Sequence, residues 1–542
     1  MKWGFGSVVL FLVIFVVIGC STTTSSPTSS VIPPATKTIV TTSASPAAVK
    51  SPSTTQVSTS TPQYGGVMRI LAGSGPGAPI GWPPEATGSS FTTLNYVADC
   101  LLREDNKGNI TPALATSYDI NSDPNNSSIT FHLRKGVKFH DGTDFNAQAV
   151  KWNFEMNQNG KLNVAFTTYW KSFDIIDDYT IRINHTTWQN RFVRSFAASP
   201  TQLVSPAAYQ KNGLEWVRWN IVGTGAFKQV DFQKDVMLKT VRNDTYWEPN
   251  KPNLSGLELL YVIDPLTAQA VFKTGGADII TTDYKTASEM KAAGYTILSQ
   301  PNSAYHLVPD SMNASSPWSN IKVRMAAEYA IDKEAIAKSL GYGFVQAATQ
   351  LPSPNSKAYD SNIAGRKFDQ AKAKQLLTEA GYTNGFKTKI IQQIGVNKDM
   401  AVAVQAYLNQ VGIQADVQFP ESAMMSQLQM GTWANALLWG TPIEYTNYNA
   451  TFNTFYGVPA TWYRSLKKPE GYEAAFKTSL TSTEQDPSLM KKCVDLFYDD
   501  CTVIPLTWNY TTWATVNNLH DTGFGQRGST TVSNPQNAWF SK

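Results

Sequence analysis

The segment FDQAKAKQLLTEAGY (368–382) shows the clearest hydrophobic pattern in the chain. Its apolar positions recur at the three- and four-residue spacing of one helical face, namely Ala371, Leu376, Leu377 and Ala380. Asp369 stands where an N-cap is expected, and Gly381 stands where a helix commonly ends. The pattern predicts an amphipathic helix between these two residues.

The neighbouring segments repeat this alternation of helix and strand. Residues 401–419 predict a helix that ends near Gly412, followed by a strand over 413–419. Residues 323–340 predict two helices separated at Asp332. Strands that alternate with helices favour an α/β fold, with helix-covered sheets and some parallel strands.

A two-residue period marks FHLRKGVKFHDGTDFNAQAV (131–150) and the residues just before it. Ile129, Phe131 and Leu133 predict the buried face of a strand, which puts His132 on the opposite face. We expect a short second strand at 137–139 and a turn at 140–142. Asp144 is the expected N-cap of the next helix, whose inner face carries Ala147, Val150 and Phe154.

His132, His140 and Asp141 raise the question of a metal or acid–base site, because the chain has only five histidines. A metal site needs further ligands at helical or hairpin spacing, and the nearby sequence offers none. We therefore interpret His140 as a turn residue, and we expect no metal, no cofactor and no catalytic residue.

The N-terminus predicts export and anchoring. Lys2 precedes an apolar run over 8–18, which is too short for a spanning helix and typical of a secretory signal. The segment ends Val17-Ile18-Gly19-Cys20, which resembles a bacterial lipobox with Cys20 as the lipidated first residue. The alternative is an ordinary cleaved signal with an accidental cysteine.

Residues 21–62 consist almost wholly of Ser, Thr, Pro, Ala and Val, with Lys37 and Lys50 as the charged residues. Such a segment buries too little apolar surface to offset its conformational entropy. We predict a flexible tether with a reach of roughly 35–40 Å. The rest of the chain would therefore work close to the outer face of a membrane.

The remaining stretch of about 480 residues is long enough for two or three domains. A net charge of +4 without a basic run gives no indication of nucleic-acid binding. Aromatic residues make up 12%, enough for both a core and a ligand-stacking cleft. Of the cysteines after Cys20, Cys493 and Cys501 could pair only if no continuous helix spans them, which the sequence leaves open.

Residues 129–155 resemble the signature of the family 5 extracellular solute-binding proteins, the oligopeptide, dipeptide and nickel receptors of ABC importers. Further resemblances occur in the family's order, at 110–120 ahead of the signature and then at 221–230, 243–247 with 251–259, 272–279, 323–336 and 502–508. Ala226-Phe227 departs from the family pattern, which has Pro-Tyr there. Matches in order across nearly the whole exported chain indicate family membership.

The resemblance implies an α/β, type-II periplasmic-binding-protein fold in its large form, with two lobes, hinge strands and an extra inserted domain. Domain I would comprise 63–105, 216–300 and 508–542, domain II the insertion 106–215, and domain III residues 301–507. The hinge would lie near 299–303 and 505–509. Ligand would bind between the lobes, which close over it.

The resemblance also places ligand contacts in three segments: 73–85, 437–448 and 505–510. The expected contact residues within them are Trp82, Trp439, Gly440, Glu444, Tyr445, Trp508 and Asn509. For each tryptophan, core packing is the alternative. Peptide-binding members carry an aspartate soon after the domain III tryptophan, whereas here the first acid is Glu444. Either Glu444 replaces it, or the ligand lacks a free amine and is a neutral sugar.

The resulting prediction is a monomeric, lipid-anchored extracytoplasmic receptor that delivers a small solute to ABC permease and ATPase subunits. An oligopeptide is the first expected ligand class and an oligosaccharide the second. A structural or chemosensory surface lipoprotein of the same fold is one alternative. A secreted hydrolase is another, but the chain lacks a Gly-x-Ser-x-Gly elbow and a His-Glu-x-x-His motif.

Overall fold

The structure, a computed structural model, describes residues 61–105, 108–160, 167–445, 447–525 and 535–542. Cys20 and nearly all of the expected tether lie outside these residues. The described strands are β1 (Val67–Ala72), β2 (Leu102–Glu104), β3 (Ile110–Pro112), β4 (Ala115–Asn121), β5 (Ser128–Leu133), β6 (Trp170–Asp177), β7 (Thr180–His185), β8 (Phe227–Gln233), β9 (Met237–Arg242), β10 (Gly256–Tyr261), β11 (Ile279–Thr282), β12 (Thr296–Pro309), β13 (Gln346–Ala347), β14 (Phe386–Ile391), β15 (Ile413–Gln418), β16 (Ala436–Gly440), β17 (Ile504–Thr515), β18 (Leu519–His520) and β19 (Trp539–Phe540).

The described α-helices are α1 (Ser89–Asn95), α2 (Ala147–Asn159), α3 (Arg191–Ser195), α4 (Pro206–Asn212), α5 (Leu214–Val217), α6 (Pro265–Lys273), α7 (Tyr284–Ala292), α8 (Ile321–Ala330), α9 (Lys333–Leu340), α10 (Gln370–Glu379), α11 (Lys398–Gln410), α12 (Ser422–Met430), α13 (Tyr448–Tyr456), α14 (Tyr472–Thr481) and α15 (Pro487–Asp499). Within the described part of the chain, none combines the length and apolar character needed to cross a bilayer.

One large sheet runs through most of the molecule, in the order β15-β14-β16-β12-β17-β11-β1-β10-β9-β8, with β13 added beside β17. At one end β14 pairs in parallel with β15 and β16, and at the other β1 pairs in parallel with β10 and β11. The long strands β12 and β17 join the two ends by antiparallel pairing. The expected hinge segments, 299–303 and 505–509, lie within these two strands, and motion about them stays a prediction.

A second sheet, β4-β5-β7-β6, is antiparallel and belongs to the expected insertion. Ile129 and Phe131 of β5 share its core with Val150 and Phe154 of α2. Separate hydrophobic cores lie at the two ends of the large sheet. Each end of the large sheet thus has its own packed core, and the strands β12 and β17 connect the two ends.

The helix and strand predictions made from local signals are largely confirmed. The side chain of Asp369 caps α10, and that of Asp332 caps α9. Gly412 has φ +95° between α11 and β15, the left-handed conformation that favours glycine. The inner face of α10 differs from the expectation, because it buries Ala373, Leu376 and Leu377 and leaves Ala371 exposed.

Around the signature, the predicted strand over Ile129–Leu133 is confirmed, whereas the predicted start of the next helix is wrong. Asp144 is not the N-cap of α2: its carboxylate accepts a 2.6 Å bond from Lys138, and Asn146 caps the helix by accepting from the Ala149 N–H. The expected strand at 137–139 is reduced to a single bridge between Lys138 and Asp144.

Candidate functional site

The signature histidine is part of the scaffold. The His140 N–H donates to the Gly223 carbonyl at 2.9 Å, and its ring Nε2 bonds the Gly225 carbonyl at 2.9 Å. Burial lowers the pKa of His140 to about 4, so the ring is neutral at physiological pH. A nitrogen that bonds a carbonyl must carry its proton, so Nε2 is the donor. His140 therefore fastens its turn to the strand segment that begins the second part of the expected domain I.

A concave surface lies where the parallel strands β1, β10 and β11 end. It is a cavity of about 500 Å³, lined among others by Gly73 after β1, by Ile263 after β10 and by Asp283 after β11. Open α/β sheets bind ligands in the crevice outside the carboxyl ends of their strands. This surface is therefore a candidate half of a ligand site, on the part of the chain expected to form domain I.

Three half-buried tyrosines, Tyr284, Tyr305 and Tyr510, lie on or beside the middle strands of the large sheet. Tyr284 opens α7, and its hydroxyl oxygen accepts a 3.2 Å bond from the Tyr510 N–H in β17. Tyr305 lies on β12 and packs against the Trp439 ring in an edge-to-face arrangement, with centroids 5.9 Å apart. Burial is the first cause that raises the pKa of all three hydroxyls. They are neutral groups able to donate or accept hydrogen bonds beside a ligand.

The loop after β16 brings the acid Glu444 to the same strands. Ile443 forms a bridge with Ser303 of β12, and the Glu444 N–H donates to the Asn302 carbonyl at 2.9 Å. The Glu444 carboxylate accepts a 2.8 Å bond from Ser353 Oγ and a 3.3 Å bond from the Ser353 N–H. After burial, the Glu444 charge is the next cause that raises the pKa of Tyr510. The negative charge of Glu444 therefore acts on Tyr510 among the three tyrosines.

Trp439 and Gly440, at the end of β16, pack into the protein. The Trp439 side chain is 1% exposed, and its Nε1 has no hydrogen-bond partner among the described residues. A Cβ placed on Gly440 would lie 2.3 Å from the ring of His306. Glycine at this position is therefore already required by the close approach of His306, whether or not a ligand also approaches.

The other predicted contact residues are buried as well. Trp508 is 5% exposed and donates from Nε1 to the Gln350 carbonyl at 3.1 Å. Asn509 is buried and bonds within its own strand to Thr507. Trp82 stacks on Tyr209 with centroids 5.0 Å apart. In this conformation these side chains contact other groups of the protein. Their contact with a ligand stays a prediction.

Tyr445 lies where the expected insertion meets the expected domain III. The Arg194 guanidinium lies 5.1 Å from the centre of its ring and also pairs with Glu104 at 3.2 Å. A polar cavity of about 580 Å³ adjoins this contact, lined among others by Tyr118 and Arg194 on one side and by Lys357 on the other. The sequence indicated Tyr445, whereas no local pattern in it indicated that these two segments meet.

The structure places the Glu444 charge where it acts on Tyr510, and it places Trp82 and Trp508 in separate cores. The tyrosines and Ser353 were missed because their proximity depends on distant strand pairing. Among the described residues, no group of three or more His, Cys, Asp or Glu side chains could hold a metal ion. Cys100, Cys493 and Cys501 are free and buried, which answers the open question of a Cys493–Cys501 bridge.

Comparison with known proteins bears on the fold and the family. The Helicobacter pylori periplasmic binding protein DppA, solved with the peptide STSA, has a TM-score of 0.71 and 23% identity over 89% of this chain and 99% of its own. NikA of Brucella suis, solved with Fe(III)-EDTA, has a TM-score of 0.77 and 21% identity over 88% of this chain and 100% of its own. The fold is therefore the type-II periplasmic-binding-protein fold, as expected.

Two sequence relatives are named glutathione-binding protein GsiB. That of Pectobacterium atrosepticum is 31% identical over 388 residues, 68% of this chain and 74% of its own. That of Escherichia coli K12 is 32% identical over 354 residues, 61% of this chain and 68% of its own. The middle region of the bacterial extracellular solute-binding proteins, family 5, matches residues 109–462. The chain therefore belongs to family 5 of the bacterial extracellular solute-binding proteins, transport receptors that bind peptides or related solutes for ABC importers.

Proposed function

We propose that this receptor binds a short peptide with a free ammonium group, in a cleft between two lobes, and that Glu444 is the partner of that ammonium. The observation that carries this proposal is the placement of Glu444, which Ser353 orients by two hydrogen bonds close to Tyr510. A carboxylate so placed favours a cation, because burying an ammonium without a counter-charge is costly.

The relatives and the tryptophans both bear on the ligand class. Two relatives are named for glutathione, a tripeptide with one free ammonium, which makes glutathione the first compound to test.

Sugar receptors stack rings on exposed aromatic faces, whereas Trp82, Trp439 and Trp508 are at most 6% exposed. The neutral oligosaccharide is therefore the weaker candidate.

Capture would work by closure of the lobes. One lobe would comprise 63–105, 216–300 and 508–542 with the insertion 106–215, and the other 301–507. Peptide contacts to the tyrosine hydroxyls and Glu444 would be complete only when the lobes meet, so ligand would stabilise the closed form. The importer would then respond to the orientation of the lobes.

Membrane anchoring belongs to the same proposal. Lipidation at Cys20 with a flexible tether over 21–62 would hold the receptor near its permease and raise its effective concentration there. Cys20→Ser should release the protein from the membrane or stall its processing. Normal processing with full membrane retention would refute the anchor and leave ligand binding untouched.

Native mass spectrometry of the purified protein tests the ligand class directly, because a closed receptor can retain its ligand through purification. We expect a bound mass in the peptide range. Calorimetry with glutathione should then show that Glu444→Gln weakens binding by at least tenfold, while Glu470→Gln, an exposed glutamate in the same segment, leaves it within twofold. A retained neutral sugar, or equal affinities for the two variants, would contradict the proposal.

A further inference from the structure

The turn before α3 bonds the C-terminal end of α14, although the two are nearly 300 residues apart. The Trp188 indole N–H donates to the Ser482 carbonyl at 2.9 Å. The Asn190 backbone N–H donates to the Leu480 carbonyl at 2.9 Å. Both bonds join the expected insertion to the expected domain III.

The side chain of Asn190 makes the densest part of this contact, and it is 4% exposed. The two hydrogens on its Nδ2 are shared among three acceptors, the Ser479 carbonyl at 2.7 Å, Ser482 Oγ at 3.0 Å and the Glu484 carbonyl at 3.3 Å. Its Oδ1 accepts from Asn449 Nδ2 at 3.1 Å. The last carbonyls of a helix lack partners within the helix, so Asn190 supplies from another segment the cap that α14 needs.

The insertion that carries Asn190 is fastened to the first lobe at other places. The backbone N–H and the ring of His140 bond the carbonyls of Gly223 and Gly225. The Arg134 guanidinium lies 4.5 Å from the centre of the Trp247 ring. Relative movement of the two lobes must therefore separate residues 188–190 from α14, or else break these anchors.

The contact is suited to reversible opening. The bonds described above join polar groups, and Asn190 and Glu484 also line the polar cavity of about 580 Å³. When such a contact opens, water replaces each hydrogen bond, so the net loss per bond is small. By contrast, a large apolar contact would resist opening.

We propose that residues 188–190 and the C-terminal end of α14 form an interlobe clasp. The clasp forms when the lobes close, and it sets the fraction of receptor molecules that are in the closed, ligand-binding form. Asn190 is then a positioning residue that acts on affinity without touching ligand, because apparent affinity scales with the closed fraction. The clasp rests on the proposed function, namely capture by lobe closure.

Three variants separate the clasp from general stability. Asn190→Ala removes all of the side-chain hydrogen bonds of Asn190, and Trp188→Phe removes one N–H while keeping an aromatic ring. The matched control is Asn184→Ala in β7, whose Nδ2 bonds Ser172 Oγ at 2.8 Å and Asp174 Oδ2 at 2.7 Å within its own sheet.

Hydrogen–deuterium exchange of the full ligand-free chain gives the first measurement. Asn190→Ala should speed exchange about tenfold or more at both 188–196 and 478–484, and tenfold corresponds to about 1.4 kcal/mol. Trp188→Phe should give a smaller change at the same two segments, and Asn184→Ala should leave both unchanged. Unchanged exchange in Asn190→Ala, or an equal rise throughout the protein, would overturn the clasp.

Calorimetry with glutathione gives the second measurement. Asn190→Ala should raise the dissociation constant about three- to thirtyfold, while Asn184→Ala leaves it within twofold. Faster exchange without any change in affinity would refute the role in ligand capture. If the unaltered protein fails to bind glutathione, the proposed ligand is wrong, and the exchange result still decides whether the clasp exists.

Discussion

Replacing Gly440 by alanine tests whether the end of β16 is limited by packing or by ligand access. A Cβ at this position would lie 2.3 Å from both Cε1 and Nε2 of His306, far inside van der Waals contact. The His306 ring is fully buried, and its two nitrogens bond the Ala304 carbonyl at 2.9 Å and the Tyr456 hydroxyl at 2.7 Å. The ring therefore cannot move aside without losing a hydrogen bond.

The expected cost follows from these two contacts. Overpacking a filled core by one methyl group costs about 1–3 kcal/mol. Losing the hydrogen bond to a buried hydroxyl adds about 1 kcal/mol. Gly440→Ala should thus lower the free energy of unfolding by about 2–4 kcal/mol in urea denaturation. Gly77→Ala is the control, because its Cβ would meet nothing within 4 Å, and it should stay within about 0.5 kcal/mol.

A double-mutant cycle identifies the clash itself. Once His306→Ala has removed the ring, Gly440→Ala should cost little more, so the two effects should be strongly non-additive. If Gly440→Ala is as stable as the control and weakens glutathione binding instead, the glycine serves ligand approach and the packing argument is refuted.

Three further outcomes follow from burial. Trp439→Ala should cost about 3–5 kcal/mol of stability in the same assay, because the side chain is 1% exposed; a stable variant with weakened binding would restore its role as a ligand contact. His140→Ala should cost about 1 kcal/mol through the lost Gly225 bond and leave glutathione affinity within threefold; loss of all binding with the fold intact would make the signature a site. Burial lowers the pKa of His140, His185 and His306 to about 4, below the value near 6.5 expected in the unfolded chain. Between these two pH values the unfolded state therefore binds more protons than the folded state. The free energy of unfolding should thus fall by several kcal/mol as the pH is lowered from 6.5 to 4. A flat stability profile over that window would contradict the buried neutral rings.

Local signals in the sequence predict local structure well. Asp369 and Asp332 cap helices as expected, because an N-cap acts only on the N–H groups of the next turn. Asp144 shows the limit of such signals. It and Asn146 are both suitable caps two residues apart; in the fold Lys138 binds the Asp144 carboxylate from the preceding segment, and Asn146 caps the helix.

The candidate site depends on contacts that no local pattern reveals. Tyr284, Tyr305 and Tyr510 come together only because β12 and β17 pair across about 200 residues of chain. Tryptophan serves cores and ligand sites equally well, so the sequence could not decide whether Trp439 is buried. Glu444 could be named from its position, whereas its orientation by Ser353 requires the folded loop.

The most direct test of the account compares glutathione with its N-acetylated form, which lacks the ammonium and keeps the rest of the molecule. If Glu444 is the partner of that ammonium, calorimetry on the unaltered receptor should show at least a hundredfold loss of affinity on acetylation, about 2.7 kcal/mol. In Glu444→Gln the same acetylation should change affinity by less than tenfold. Equal affinity of the unaltered receptor for both compounds would contradict the assignment of Glu444, and binding of a neutral oligosaccharide with no binding of either compound would contradict the peptide receptor itself.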